Sequence, residues 1–330
     1  MTAFEYIGAT GMDEVLDALA DGAGSVLAGG QSLVLRGPVL QGPVLRDPIP
    51  RAEDREAAVR RAADREAAVR RAEDREAAVR READREAAVR RVVDINRVPG
   101  LDTLAESGGS LRVGPLVRHR TFESDQVTGP LGDLLRAVVC HIGHPPIRAR
   151  GTMLGSFAFA HPAAEWPVVA MMLDARMTLT GRDGSRTLPA ESFFTGPFTT
   201  ARRPDEMLTE ARLRVLPAGT GIGYAEDRRT TIFPQAAAIT AITVTESVVS
   251  AAAIGLVNAG PCPVRARAAE KVLLHGPLSD AAISAAAEAA ADVDVPGTGP
   301  DRLVRQRAFR TLARRALSQA RDGLGVRAHR

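Results

Sequence analysis

The sequence predicts a mixed α and β fold in two parts, with a boundary near residue 217. Three observations carry that expectation. Short apolar runs alternate with amphipathic helical stretches before the boundary, and Pro217-Ala218-Gly219-Thr220-Gly221 breaks the pattern. Beyond it, residues 236–253 alternate Ile, Thr, Val and Ala as the strands of an antiparallel sheet would, and a helical tail follows.

In chain order, residues 12–20 (MDEVLDALA) form a helix because Val15, Leu16 and Leu19 recur at helical spacing, and Asp21-Gly22-Ala23-Gly24 stops it. Ser25-Val26-Leu27 is a short strand that runs into Ala28-Gly29-Gly30-Gln31-Ser32-Leu33. A strand, two glycines and an apolar run is the layout of a backbone phosphate cradle. The hexapeptide by itself suits a tight turn between core elements equally well.

Residues 36–90 stand apart as an inserted low-complexity segment. GPVL occurs twice, and four ten-residue copies fill residues 51–90 with 12 arginines and 11 acids. Each copy places a glutamate four residues before an arginine (Glu56 and Arg60, Glu66 and Arg70), which supports helix by about 0.3–0.5 kcal/mol per pair. Ten residues advance a helix by about 1000°, so Val59, Val69, Val79 and Val89 drift by roughly 80° per copy and build no coiled-coil stripe. The segment reads as a solvated helical or partly disordered insertion, with a partner-binding arm as the alternative. Forty helical residues span about 60 Å while both ends rejoin one core, so a break, a hairpin or fraying is expected.

Residues 92–95 are a strand, 96–100 a turn and 110–114 another strand, and residues 131–140 form an amphipathic helix. The next stretch, HIGHPPIRARGTMLGSFAFAHPAAEWP at 141–167, organises the rest. It reads as a basic loop (Arg148, Arg150), a Gly-Thr turn, a second glycine at Gly155, an apolar run and a helix start carrying Glu165. Small residues let backbone N–H groups approach a ligand, and the arginines favour an anionic one. A phosphate-bearing cofactor is therefore predicted.

Residues 166–173 are a buried helix, 176–179 and 185–188 a hairpin, and 206–215 a strand. The GTGIG run at 219–223 lacks a third glycine and a following helix, so it is a weak dinucleotide signal. The tail is expected to be helical at 264–274, 279–291 and 301–320.

Composition excludes several classes. The net charge is +3, Lys271 is the sole lysine among 43 basic residues, and one Trp and two Tyr offer few stacking platforms, so nucleic acid is not a predicted partner. No window approaches the roughly 20 apolar residues of a membrane span, and the N-terminus lacks a signal core, so the expected address is the cytoplasm. Cys140 and Cys262 are too few to hold an iron–sulfur cluster. Cys140, His141 and His144 lie close in sequence but want a fourth ligand, so they read as a structural loop. Neither a metal site nor a catalytic acid, base or nucleophile set is predicted.

Read together, AGGQSL at 28–33, VVDINRVPGL at 92–101 and GTMLGSFAFAHPAAEWP at 151–167 resemble, in that order, the FAD-binding medium subunit of the molybdenum hydroxylases, the carbon monoxide dehydrogenase and xanthine dehydrogenase type. Gly260-Pro261, Pro263-Val264-Arg265-Ala266 with Ala269-Glu270, and RTLARRALSQA at 310–320 resemble that family's flavoprotein C-terminal domain. The resemblance covers nearly all of the chain except residues 36–90. It implies an α+β fold, with a two-subdomain FAD-binding domain of the PCMH type at 1–217 and a small antiparallel sheet plus helices at 218–330.

It also implies noncovalent FAD, with electrons passing from a partner's [2Fe-2S] centres through the flavin to an external acceptor. The partners would be a molybdopterin-binding large subunit and a 2Fe-2S small subunit. Ala28, Gly29, Gly30, Gln31, Ser32 and Leu33 would supply the first pyrophosphate turn, and Thr152, Gly155 and Ser156 the second. Glu165 would contact the ribityl or ribose side, and His161 stands where the family usually has Asp.

Two further departures are visible. Leu154 replaces the first glycine of the usual Thr-Ile-Gly-Gly turn, where a side chain is expected to crowd the phosphate or shift the turn. Arg228-Arg229 is followed by Ile232 near the place of an acid. Two rival readings follow, a degenerate homologue without FAD serving as an assembly subunit and a stand-alone flavin oxidoreductase.

Overall fold

The computed structural model describes residues 5–31, 91–228, 232–293 and 299–327. Ser32, Leu33, the inserted segment 36–90 with its repeats, and Arg229 lie outside the described residues.

Three layers of sheet follow one another along the chain. The first is parallel, in the order β1-β3-β2, built from β1 (Glu5–Gly8), β2 (Gly24–Leu27) and β3 (Arg91–Asp94). Helix Met12–Leu19 crosses from β1 to β2 and buries Val15, Leu16 and Leu19, of which Val15 and Leu19 pack with Val93, Ile95 and Val98. The register pairs Leu27 with Asp94, so β2 and β3 end side by side. In sheets of this kind ligands gather outside the carboxyl ends of the strands. Here those ends lead directly into the glycine turn at 28–31 and into Asn96.

The second sheet is antiparallel, ordered β4-β5-β10-β6-β7 from β4 (Leu104–Ser107), β5 (Ser110–Val113), β6 (Arg176–Gly181), β7 (Gly184–Pro189) and β10 (Met207–Arg214). A small hairpin, β8 (Phe194–Gly196) with β9 (Thr199–Thr200), lies between β7 and β10 in the chain. Helices Gly129–Val139, Met153–Phe159 and Glu165–Met172 supply much of the core beside this sheet. Helix Glu165–Met172 is buried on nearly all sides, and Trp166 meets Phe122 edge-on at 5.4 Å. Burying a side chain of this size contributes at least about 1.5–3 kcal/mol.

The third sheet, β11 (Thr220–Asp227), β12 (Ala236–Thr245), β13 (Val248–Val257) and β14 (Val264–Arg265), is antiparallel in chain order. The alternation read from residues 236–253 is present, yet both of its faces are buried. Ala237, Ile239 and Ala241 join the core of the second layer, while Ala236, Ala238 and Ile242 join that of helices Arg267–Leu273, Asp280–Ala291 and Gly299–Arg327. The sheet is thus shared between the two halves of the chain.

The weak GTGIG signal has a packing cause. A Cβ on Gly221 would collide with the Ala320 carbonyl, and one on Gly223 with that of Ala316, so these glycines let β11 lie directly against the last helix. Three further expectations need correction. The stretch around Arg148 and Arg150 is a helix, Pro145–Arg150, because Pro145 and Pro146 suit a helix N-terminus. The apolar run after Thr152 is also helical, Met153–Phe159. Val264 and Arg265 pair with β13 before the next helix begins.

Candidate cofactor-binding site

The two glycine segments touch. Gly29 lies so close to the second segment that an added Cβ would collide with the Arg150 carbonyl and sit 2.8 Å from Gly151 Cα. Gly30 takes a left-handed φ of +74°, which turns the chain, and Gln31 enters a helical conformation. Gly29 is thereby brought against Arg150 and Gly151, with Ala28, Gly30 and Gln31 in the same turn.

The second segment is a capped helix start. Thr152 Oγ1 accepts from the Gly155 N–H at 3.0 Å, the Met153 N–H donates to the Val117 carbonyl, and the Ser156 N–H donates to that of Thr152. The expectation of a glycine-rich cradle here is corrected accordingly: Met153, Gly155 and Ser156 all donate within the chain. Leu154 does not crowd the approach, because its side chain is 2% exposed and belongs to the core with Met153 and Phe157.

Arg118, which carries no motif signal, joins the segments. Its Nη1 donates to the carbonyl of Ala28 at 3.2 Å and to that of Arg150 at 2.5 Å, and its Nη2 donates to Asn96 Oδ1 at 2.5 Å. Asn96 is itself fixed by Asp94, whose other oxygen accepts from Tyr6. All three motif segments are therefore tied to one guanidinium. Two touching turns beside a cationic fork suit a dinucleotide diphosphate.

Glu165 lies apart from the turns, at the first turn of its helix, 3% exposed. Burial pushes its carboxyl up to about 7, against the pull of Arg228, whose Nη2 is 3.0 Å from Glu165 Oε1. Arg228 also binds Glu226 at 2.8 Å and the Ile232 carbonyl. Tyr224 donates to Glu226 at 2.9 Å, and His141 lies 3.1 Å from the same carboxylate while stacking on Tyr224 at 4.0 Å. Ile232, near the place of the family's acid, offers Arg228 its backbone carbonyl, the carboxylate partners of Arg228 are Glu226 and Glu165, and the network crosses from β11 to the first half of the chain.

His161 stacks on Phe233 at 3.8 Å with Phe198 edge-on at 5.1 Å, and its Nδ1 accepts from the Ala163 N–H at 3.0 Å. Burial lowers its pKa to about 4, below the ordinary imidazole value. At neutral pH it is an uncharged Nε2–H donor. A cavity of about 450 Å³, walled by Cys140, His141, Tyr224 and Gln319, is lined by none of the predicted site residues.

Beneath the second turn, His119 packs its ring where a Gly151 Cβ would be and accepts at Nδ1 from Trp166 Nε1 at 3.0 Å. Burial and nearby arginines lower its pKa to about 3. The unfolded chain binds these histidine protons near pH 6.5 and the native chain does not, so stability is complete above that pH and falls as the pH drops toward 4. Glu165 works in the opposite sense between about 4.5 and 7, one carboxyl against two imidazoles. Urea midpoints measured at pH 7 and pH 5 are expected to drop, and His119→Gln, which keeps an acceptor for Trp166, to shrink the drop. An equal drop in the variant contradicts this assignment.

These features define a dinucleotide-binding protein of mixed α/β fold. Residues 78–214 match the family described as the FAD binding domain in molybdopterin dehydrogenase, and residues 225–320 the CO dehydrogenase flavoprotein C-terminal domain. The chain is 34% identical over 233 residues to the 6-hydroxypseudooxynicotine dehydrogenase complex subunit alpha of Paenarthrobacter nicotinovorans, covering 69% of this chain and 79% of that one. It is 30% identical to the carbon monoxide dehydrogenase medium chain of Hydrogenophaga pseudoflava over 62% of this chain and 72% of the other. A solved structure of carbon monoxide dehydrogenase from that organism superposes with a TM-score of 0.76 at 25% identity, over 97% of this chain and 98% of that one. The chain belongs to the FAD-binding subunits of the molybdenum hydroxylase family and is a flavoprotein component of an oxidoreductase.

Proposed function

We propose that this chain holds FAD noncovalently and relays electrons from iron–sulfur centres on one partner to an external acceptor, while substrate is oxidised at a molybdopterin on another. Residues 1–217, in two subdomains, bind the flavin, and 218–330 form the flavoprotein C-terminal domain. Bound FAD supplies one- and two-electron redox chemistry, and the protein contributes placement and tuning. The observation that carries the reading is the contact of Gly29 with Arg150 and Gly151, which sets the two turns side by side, as sharing one diphosphate requires.

Ala28, Gly29, Gly30 and Gln31 present the first turn, Thr152 to Ser156 the helix start, and Glu165, held by Arg228, faces the ribityl or ribose side. His161, uncharged, offers a donor in place of a fixed acceptor. The relatives' names, a complex subunit alpha and a medium chain, support a place in a multi-subunit complex, whose other members we read as a large molybdopterin subunit and a small [2Fe-2S] subunit. The assembly-subunit alternative rested on Leu154 and His161, and Leu154 is turned into the core.

Co-expression with its two neighbouring subunits is the test. The purified complex is expected to release FAD on denaturation, one per copy of this chain. A complex that holds molybdenum and iron–sulfur but no flavin supports the assembly-subunit reading instead.

A further inference from the structure

Arg118 is half-buried between the ends of the first sheet and the second glycine segment, and its three identified acceptors are neutral oxygens: two carbonyls and one side-chain amide. Asp94 makes no hydrogen bond to Arg118; its oxygens are taken up by Tyr6 and by the Asn96 N–H and Nδ2. Burial penalises the charge of the guanidinium most, Arg150 and Arg120 add repulsion, and the nearby charge of Asp94 offsets part of it. A cation in this position is costly unless an anion arrives to balance it.

The geometry is as specific as the charge. Ala28 precedes the first turn, Arg150 precedes the second, and Asn96 follows β3, so three loops distant in sequence converge on one planar fork. An ammonium offers a single point from which to donate and cannot bridge three acceptors spread around a guanidinium. The Arg118 backbone adds to the tie, forming an isolated bridge with Thr152.

We infer that Arg118 is the positioning residue of the diphosphate site: its fork holds the two turns in one orientation, and its charge, offset only in part by Asp94, is met by the bound cofactor's phosphates. This rests on the FAD reading above.

The test titrates FAD into the flavin-stripped full chain, following flavin fluorescence, for wild type, Arg118→Met, Arg118→Lys and Asn96→Ala. Arg118→Met is expected to weaken FAD binding by about 10- to 100-fold, since charged hydrogen bonds are lost on both turns. Arg118→Lys is expected to recover less than a tenth of that loss. Asn96→Ala, which leaves the fork and both turns in place, is expected to weaken binding by roughly threefold to tenfold through loosened aim. Full recovery in Arg118→Lys overturns the positioning role and leaves charge alone, and wild-type affinity in Arg118→Met overturns the whole inference. If Arg118→Met does not fold, Asn96→Ala decides, and wild-type affinity there overturns the positioning role. A wild type that takes up no FAD refutes the flavin reading itself.

Discussion

Gly29→Ala is expected to yield a folded protein that retains little or no flavin. The new methyl would meet the Arg150 carbonyl and the Gly151 Cα, both backbone, so no rotamer change relieves the clash. One turn must move away from the other, at a cost of about 1–3 kcal/mol or more for forced repacking. Displacing a turn also separates the chain carbonyls that Arg118 bridges. Gly30→Ala acts differently. Its left-handed φ of +74° costs roughly 1 kcal/mol with a Cβ, and the nearest atom is a flexible Leu27 methyl at 3.2 Å. Flavin-to-protein absorbance ratios of the purified variants check this. Gly29→Ala with a full flavin complement contradicts it, as does a greater loss in Gly30→Ala.

Arg228→Ala is expected to destabilise the folded chain by about 3–5 kcal/mol at pH 8, because it leaves the buried Glu165 and the half-buried Glu226 facing one another without a cation. The sign with pH follows from Glu165. Its carboxyl is already raised to about 7 by burial, and losing Arg228 raises it further. A carboxyl whose pKa is higher folded than unfolded favours folding at low pH and loses that favour as the pH rises. The variant should therefore sit nearest to wild type around pH 5 and fall away toward pH 8. Glu165→Gln in the same background is expected to return much of the loss, since a neutral amide replaces the unbalanced charge. Urea unfolding at pH 5 and pH 8 measures this, and a loss that is independent of pH contradicts it.

The element pattern was legible because it rests on local signals. Helix Met12–Leu19, the strands around Val26 and Val93 and the β6–β7 hairpin follow from spacing and turn residues alone. The glycine turns were legible as well, since strand–Gly–Gly is a short-range pattern, although the distance between them was not.

What stayed hidden depends on long-range contact. Arg118 carries no mark in a chain with 43 basic residues, and Glu226 and His141 meet across 85 positions. The direction of Leu154 could have been found: Met153, Leu154 and Phe157 share the apolar face of a helix capped by Thr152. Gly221 and Gly223 had a partner signal too, in the small residues Ala316 and Ala320 spaced one helical turn apart. The uncharged state of His161 at neutral pH also stayed hidden, since it follows from burial and stacking on Phe233, 72 positions away.

The central claim is that two sequence-distant turns form one diphosphate site. Displacement of FAD from the purified chain by ADP and by riboflavin, read in the flavin absorption of the protein fraction, tests it most directly. The account predicts one FAD per chain, released by ADP and little affected by an equal concentration of riboflavin. A chain whose FAD is displaced by riboflavin and not by ADP holds the cofactor by its ring alone, and contradicts it.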